Sequence, residues 1–218
     1  SMHHIVYIGL YLLKINKHSF IKIQSLESYQ TILLCYCYIY TDENEDIFMK
    51  FKRYNYKKKN DQEMLERSHN FMQLMLSRRS IRDFSSKEIP DNVIENILKT
   101  AISSLSGAKK QPWSFVVVKS KGLKKKIRIA AEIEEKKFYS QRATDEWLND
   151  LNKFGTSWEK PFLEEAPALI IIFRQFYDNS GSKKRKNYYV NESVGIASGF
   201  LITAIQNAGL VCLTHAPS

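Results

Sequence analysis

Three arginines within five positions, Arg78, Arg79 and Arg82, with Ser80 between them, are well suited to binding an anion. A guanidinium group stays charged at physiological pH and binds a phosphate through two parallel hydrogen bonds. Taken alone, the run is more simply interpreted as a surface patch of arginines that binds nothing. It therefore predicts a phosphate site only if other parts of the chain indicate the same ligand.

A second candidate for ligand binding is the short run Ser106, Gly107 and Ala108. A serine hydroxyl can donate a hydrogen bond to a phosphate, and a glycine lets the backbone come close to a ligand. An ordinary serine–glycine loop is the alternative interpretation.

A third set combines an acid, a hydroxyl and a cation. Glu135 and Tyr139 are four residues apart, so they share one face of a helix, and Lys160 follows in a loop or short helix. Such a trio complements the α-ammonium and α-carboxylate groups of a free amino acid. Without further evidence, however, these three residues are typical of a solvated surface.

The elements that position these residues follow from the apolar pattern. Asn60 or Asp61 is suited to cap a first helix, which ends near Ser77 and delivers the arginines to a loop. Pro90 begins a second helix. Long helices are predicted over about 123–151 and 188–207, and Gly209 ends the last one in the left-handed conformation. Buried strands are predicted at 115–118, 169–173 and 210–213.

These elements predict the α+β class, with a mixed sheet between helices. Three strands are few for so much apolar helix, which indicates a sheet that is incomplete or completed by another chain. The helix over 194–205 is apolar nearly all round, as expected inside a fold or in a subunit interface. We predict a folded domain over 59–218 and, over 1–58, an N-terminal extension of unknown role.

The formal net charge of +10 favours anionic partners. Much of the charge lies in lysine-rich clusters at 57–59, 124–126 and 183–186, which are interpreted as solvated helix faces and loops. No aromatic residues alternate with these clusters as base-stacking sites require, so nucleic acid is not an expected partner.

Cysteine content indicates the redox environment of the protein, and hydropathy shows whether an apolar run is long enough to span a membrane. Cys35, Cys37 and Cys212 are too few for a disulfide framework, which favours a reducing environment. Cys35 and Cys37 are interpreted as small buried residues, since no second Cys/His pair lies nearby to complete a metal site. The apolar runs 5–13 and 31–40 are shorter than the ~20 residues of a membrane span.

Several of these motifs, taken in order, resemble the nitroreductase superfamily. They are Arg78-Arg79-Ser80-Ile81-Arg82 after a helix, then Pro90, then Ser106-Gly107-Ala108, and then Gln111-Pro112-Trp113 before a valine-rich strand. Later residues resemble the iodotyrosine (halotyrosine) deiodinase branch, namely Glu135, Tyr139, Trp158, Lys160, Ala166-Pro167, Asn191-Glu192 and residues 206–210. The resemblance covers about 60–218, and we expect this chain to be truncated at its C-terminus relative to that family.

The resemblance implies a nitroreductase-like three-layer fold with a long buried helix at the interface of a homodimer. It implies FMN as cofactor, near Arg78, Arg79, Ser80, Arg82, Ser106, Gly107, Thr214, His215 and Ala216. It also implies that the Ala108 amide faces a substrate phenolate, Glu135 the α-ammonium, and Tyr139 and Lys160 the α-carboxylate.

The implied activity is reductive dehalogenation of iodotyrosine and other halotyrosines to tyrosine and halide. NADPH is the implied ultimate electron donor, through a separate reductase. We expect a cytoplasmic or cytosol-facing location, with no membrane attachment evident in the chain.

One departure from that family concerns the flavin N5 atom. The family pattern has a threonine before the proline that follows the third strand, whereas this chain has Ala216 before Pro217. Thr214 and His215 are the nearby donors that can replace its hydroxyl. A missing donor favours two-electron chemistry, so a general FMN-dependent nitro or quinone reductase is one alternative. A catalytically inactive, truncated fragment that forms dimers is the other.

Overall fold

The computed structural model describes residues 5–9, 56–178 and 185–215. Six helices lie in the described ranges: α1 Asp61–Leu76, α2 Asp91–Ile102, α3 Lys121–Lys137, α4 Asp145–Asn152, α5 Phe162–Glu165 and α6 Val190–Asn207. The strands are β1 Ile5–Gly9, β2 Trp113–Val118, β3 Ala168–Arg174, β4 Tyr177–Asp178, β5 Arg185–Lys186 and β6 Val211–His215. A 3₁₀ turn over Gly107–Lys109 and a π-helical turn over Phe138–Arg142 complete the described elements.

The main sheet is mixed and has the strand order β2-β3-β1-β6. β2 and β3 are antiparallel, with Phe115 opposite Ile172. β1 lies between β3 and β6 and is parallel to both. β4 and β5 form a separate short antiparallel ribbon. The predicted mixed sheet is therefore confirmed.

Helices cover both faces of this sheet, which creates two apolar layers. One face packs against α2 and α6, and its core includes Ile170 and Ile172 of β3. The other face packs against α3 and α5, and its core includes Leu169 and Ile171. Successive side chains of a strand point to opposite faces, so a strand covered on both sides is apolar throughout. The apolar runs therefore identified strands correctly, and all three predicted strands are present.

The predicted start and end of α1 and the predicted start of α2 are confirmed. The Asn60 side chain caps α1 by accepting a hydrogen bond from the Glu63 N–H at 2.8 Å, and the helix ends at the C-cap Ser77. Pro90 immediately precedes α2. Gly209 has φ +73° after α6, as the predicted left-handed stop requires.

The prediction of one helix over 123–151 is wrong. The Ala143 N–H donates to the Phe138 carbonyl at 2.9 Å, five residues back, and this π-helical turn ends α3. Thr144 then begins α4, because its side chain accepts a hydrogen bond from the Trp147 N–H. Such turns recur at functional sites, and this one carries Tyr139.

Lys124 corrects the interpretation of the basic clusters as solvated. Its side chain is 4% exposed, and Nζ donates to the Ala166 carbonyl at 2.5 Å. Burial, and then the charge of Lys121, lower the pKa of Lys124 against the opposing charge of Glu164. Lys124 is buried because it lies on the face of α3 that packs against the sheet, where its long alkyl chain fills apolar space.

The helix α6 has two different apolar faces. Val194, Ala197 and Leu201 are fully packed in the core, whereas Ile196 and Phe200 on the opposite side are 36% and 40% exposed. The neighbouring helix α1 has no buried residue in this chain, although it presents several large apolar side chains to solvent: Met64, Leu65, Phe71, Met72 and Leu76.

The strand β1 belongs to the segment that we expected to be an extension, and it pairs within the main sheet. The boundary near residue 58 itself stays a prediction. Cys35, Cys37, Ala216 and the first half of the 183–186 cluster lie outside the described residues. Within the described ranges, no helix is long and apolar enough to cross a bilayer.

Candidate functional site

The predicted acid, hydroxyl and cation lie together, and we call Glu135, Tyr139 and Lys160 the polar cluster. Glu135 lies in the last turn of α3, and Lys160 lies just before α5. Their side chains form an ion pair with Nζ 3.1 Å from Oε2, and each is only 8% exposed. A buried ion pair of this kind carries a large desolvation cost, which makes it a poor stabiliser and a good candidate for function.

Tyr139 closes one side of this ion pair. The Lys160 Nζ lies 5.5 Å from the centre of the Tyr139 ring, within the range of a cation–π contact. The Tyr139 hydroxyl lies 3.4 Å from the Thr156 Oγ1. Lys160 Nζ also donates to the Ser157 carbonyl at 2.5 Å. The ring and the loop over 156–160 therefore enclose the charged groups.

The sequence gives no hint of the part that Glu132 plays in holding this loop. Its Oε1 accepts the Lys160 backbone N–H at 2.8 Å and the Arg128 Nε–H at 2.8 Å. Burial acts to raise the pKa of Glu132, but the hydrogen bonds from Arg128 and Lys160 outweigh it, so this pKa is lowered. The i,i+4 spacing of Arg128 and Glu132 is visible in the sequence, but only the fold brings Lys160 to them.

His215 lies at the polar cluster as well. Its Nε2 is 3.4 Å from the Glu135 Oε1, and its ring lies edge-on to Phe162. Burial lowers the pKa of His215, the Glu135 charge opposes this, and the Lys160 charge adds to it, so the pKa lies below 6.5. The cofactor role expected for His215 stays a prediction; alternation along β6 puts the residue on the same face as Leu213, towards α3.

The arginine loop, residues 78–82, runs beside the same strand. Ser80 forms a parallel β-bridge with Cys212, and the Arg78 charge lowers the pKa of the Cys212 thiol, which burial raises more strongly. The Arg79 Nη1 donates to the carbonyls of Leu76 and Arg78. No carboxylate of the described residues forms an ion pair with the three arginines. Thr214, two positions after Cys212 on β6, is exposed.

The serine–glycine loop, residues 106–108, is strained. Ala108, Lys109 and Gln111 have φ angles of 49°, 52° and 42°, which only glycine adopts without cost. The Ser106 Oγ accepts the Gln111 N–H at 2.8 Å, which holds this shape. A Cβ on Gly107 would lie 2.8 Å from the Tyr189 Cδ2, so the glycine is needed for close approach to that ring.

The arginine loop and the serine–glycine loop contact opposite ends of α6. The Gln206 side chain donates to the Ser77 Oγ next to the arginine loop, whereas the Gly107 N–H faces the Ser193 Oγ at 3.5 Å. Ser193 and Gln206 are separated by thirteen positions of one helix, which corresponds to about 20 Å. Within one chain the structure therefore brings together the arginine loop, β6 and the polar cluster, but not the serine–glycine loop.

The class of protein follows from comparison with known families. Residues 75–216 match the model of the nitroreductase family, a range that contains the arginine loop, the serine–glycine loop and the polar cluster. The chain therefore belongs to the nitroreductase family, and its relatives within that family include iodotyrosine deiodinases.

Three such relatives illustrate the similarity. The iodotyrosine deiodinase of Haliscomenobacter hydrossis is 57% identical over 158 residues, which are 72% of this chain and 71% of the relative. That of Hydra vulgaris is 46% identical over 176 residues, covering 79% of this chain and 65% of the relative. Human iodotyrosine deiodinase 1 is 45% identical over 158 residues, which cover 72% of this chain and 55% of the relative. The chain thus spans only part of each relative.

The fold agrees with a solved structure of the same kind. An iodotyrosine deiodinase crystallised with FMN and 3-iodo-L-tyrosine matches with a TM-score of 0.58 and 31% sequence identity. The match covers 67% of this chain and 74% of that protein. The nitroreductase-like fold predicted from the motifs is therefore confirmed.

Proposed function

We propose that this chain is the FMN-dependent part of an enzyme that reductively dehalogenates iodotyrosine and other halotyrosines. The observation that carries the proposal is the buried Glu135–Lys160 ion pair beside Tyr139. The relatives named iodotyrosine deiodinase, and the matching structure crystallised with FMN and 3-iodo-L-tyrosine, support it. The overall reaction replaces the halogen by hydrogen, consuming two electrons and one proton and releasing halide and tyrosine.

An amino acid suits the polar cluster because it is a zwitterion. Its α-ammonium group can bind Glu135 while its α-carboxylate binds Lys160 and the Tyr139 hydroxyl. The exchange replaces one buried ion pair by two, so no charge is left buried without a partner. A quinone or nitroaromatic carries no such pair of charges, and nothing in the cluster would recognise it. The cluster therefore favours a halotyrosine over the alternative substrates.

The arginine loop beside β6 and the serine–glycine loop both offer groups that fit FMN. The arginine loop offers three guanidinium groups that no described carboxylate neutralises, and a phosphate with an electron-rich ring edge would supply the missing negative charge. Ser106 and Gly107 offer a hydroxyl and a backbone that can approach a ligand closely. FMN, when bound, would supply the electrons for the reduction. A cation beside the flavin favours its reduced, anionic form.

The distance between the two loops supports a homodimer. They contact opposite ends of α6, about 20 Å apart, so a single chain holds the two halves of the proposed FMN site away from each other. Two copies packed with their α6 helices antiparallel would bring the arginine loop of one to the serine–glycine loop of the other. The exposed Ile196, Phe200 and apolar residues of α1 provide a surface for that contact.

The electron supply and location are further parts of the proposal. We infer that NADPH is the ultimate donor, acting through a separate reductase, and that the protein faces the cytosol. The sparse cysteines support a reducing environment.

Titration of the purified chain with FMN, followed by flavin fluorescence, tests the proposal. We expect FMN to bind and 3-iodotyrosine to quench the remaining fluorescence, while Glu135→Gln loses most of the affinity for iodotyrosine. Glu134→Gln, one residue earlier on the exposed face of α3, is the matched control and should bind as the wild type does. FMN binding without any response to iodotyrosine would refute the proposed substrate.

Mixing two defective variants tests the site between two chains. An Arg82→Ala chain and a Gly107→Trp chain should each bind FMN poorly, because each homodimer has two damaged sites. A mixed dimer holds one intact site, so mixing after partial unfolding should recover up to about a quarter of the full capacity, as statistical pairing predicts. No recovery from mixed, refolded chains would refute the shared site.

A further inference from the structure

The Glu135 carboxylate has a different neighbour on each oxygen. Lys160 Nζ lies 3.1 Å from Oε2, and His215 Nε2 lies 3.4 Å from Oε1. The His215 side chain is only 13% exposed, and it is the last residue of β6, which also passes beside the arginine loop. Neither the resemblance nor the comparisons assign His215 to substrate recognition.

We propose that His215 is a specificity-determining residue, which fixes the Glu135 carboxylate for the α-ammonium group of the substrate and makes its binding depend on pH. This inference rests on the proposed function, since it concerns the same amino-acid site.

The His215 Nε2 lies 3.4 Å from the Glu135 Oε1 but outside hydrogen-bond geometry, and a small rotation of the ring would let neutral His215 donate the Nε2–H to that oxygen. Such a bond would fix the plane of the carboxylate and leave Oε2 as the oxygen that faces Lys160. The substrate's ammonium group then meets a Glu135 carboxylate that is already oriented. Lys160 is the one cation beside that carboxylate while His215 is neutral. A hydrogen bond to a charged group is stronger than one between neutral groups, so this orientation has a measurable effect on affinity.

In its protonated form, His215 becomes a second cation beside the same carboxylate. Among the described residues, the groups that face it are Glu135 of α3, Lys160 before α5 and the uncharged Phe162 ring of α5. Tyr139 lies one contact further away, over Lys160. With two cations against one acid, the attraction of Glu135 for an ammonium group falls. Affinity for an amino acid should therefore decrease as the pH falls.

The pH range follows from the burial of the ring. Burial and the nearby Lys160 place the pKa of His215 below 6.5, despite the opposing charge of Glu135. Affinity should be constant above this pKa and fall below it, by up to about tenfold per pH unit if only the neutral form binds.

Binding to FMN-loaded protein between pH 5 and pH 8 tests the proposal, with two probes. 3-Iodotyrosine carries the ammonium and carboxylate groups, whereas 2-iodophenol carries only the iodinated phenol ring. For the wild type, we expect the affinity for iodotyrosine, divided by that for iodophenol, to be constant near pH 8 and to fall as the pH is lowered through the pKa of His215. In His215→Gln, which keeps a donor but cannot become charged, this ratio should be constant.

Two further variants complete the experiment. His215→Phe removes the donor and should weaken iodotyrosine binding about tenfold at pH 8 without affecting iodophenol. His69→Gln changes an exposed histidine of α1 and should behave as the wild type does. Circular dichroism of each variant shows whether it is folded.

The possible failures are distinct. Wild-type protein that binds no FMN, or does not prefer iodotyrosine to iodophenol, would overturn the proposed function and this inference together. Wild-type protein that prefers iodotyrosine, with the same pH profile in His215→Gln, would overturn the inference alone. If His215→Phe weakens both probes equally, His215 acts on the cofactor or the ring, and the specificity role is refuted.

Discussion

Breaking the buried Glu135–Lys160 ion pair should destabilise the chain by an amount that depends on which partner is removed. Glu135→Gln leaves the Lys160 ammonium buried, with the Ser157 carbonyl as its hydrogen-bond acceptor. Lys160→Met instead leaves the Glu135 carboxylate beside His215, whose Nε2 lies 3.4 Å away. In Lys160→Met, the His215 imidazole can take up a proton and balance the Glu135 charge. In Glu135→Gln, the Lys160 ammonium can become neutral only by losing its own proton.

The magnitude follows from the burial of the two side chains, each 8% exposed. Removing one partner of such a pair costs about 3–5 kcal/mol, because the other charge stays buried without compensation. We expect Glu135→Gln to lose an amount in this range. Lys160→Met should lose less, about 1–3 kcal/mol, because His215 can take up a proton beside the remaining carboxylate and balance its charge. The double variant removes both charges and should be more stable than Glu135→Gln alone.

Urea unfolding at pH 7.5, followed by circular dichroism, measures these differences. Glu134→Gln is the control, since Glu134 is 48% exposed and its removal should have no measurable effect. If Glu135→Gln unfolds at the same urea concentration as this control, the ion pair opens to water before the fold unfolds. If Lys160→Met is the more damaging change, the argument that His215 compensates for the lost lysine is refuted.

Three further predictions concern other parts of the structure. Lys124→Met should change the free energy of unfolding by less than about 1 kcal/mol at pH 7, because a buried charge is replaced by an apolar chain of similar length. Since the pKa of Lys124 is lowered in the folded state, wild-type stability should rise as pH increases towards 10.5, and urea titrations should show a smaller rise in this variant. Glu132→Leu, which has no acceptor for the Lys160 N–H, should weaken iodotyrosine binding about tenfold, with FMN binding unchanged in a fluorescence titration. Gly107→Ala should lower stability by about 1 kcal/mol, and adding Tyr189→Ala should restore it, because a Cβ would lie 2.8 Å from the tyrosine ring.

Local patterns accounted for the helices and strands whose ends depend on neighbouring residues. Asn60 caps α1 through a residue three positions later, and Gly209 ends α6 through its own φ angle. The strands β2 and β3 were evident because burial on both faces makes a continuous apolar run. Prediction failed where two local signals compete, as at the π-helical turn between α3 and α4. There the helical pattern continues through Tyr139, but Thr144 offers a better cap.

The candidate site divides in the same way. The motif residues that carry charge, such as the arginine loop and the polar cluster, can be read from type, order and resemblance. The neighbours of Glu135 cannot, because Lys160 lies 25 positions away in the chain and His215 a further 55. Contacts over such separations depend on how α3, α5 and β6 pack, and no local spacing encodes them.

By itself, the sequence determined the class of the protein, the residue types available for a phosphate and a zwitterion, and the helices and strands that carry them. The class came from the resemblance of motifs taken in order, and the helices and strands could be predicted because capping and periodicity are local properties. Only the tertiary structure decided that Lys124 is buried, that Glu132 holds the Lys160 loop, and that His215 faces Glu135. These outcomes depend on which face of each element the neighbouring layer covers, because packing determines which charges lose water and must find partners.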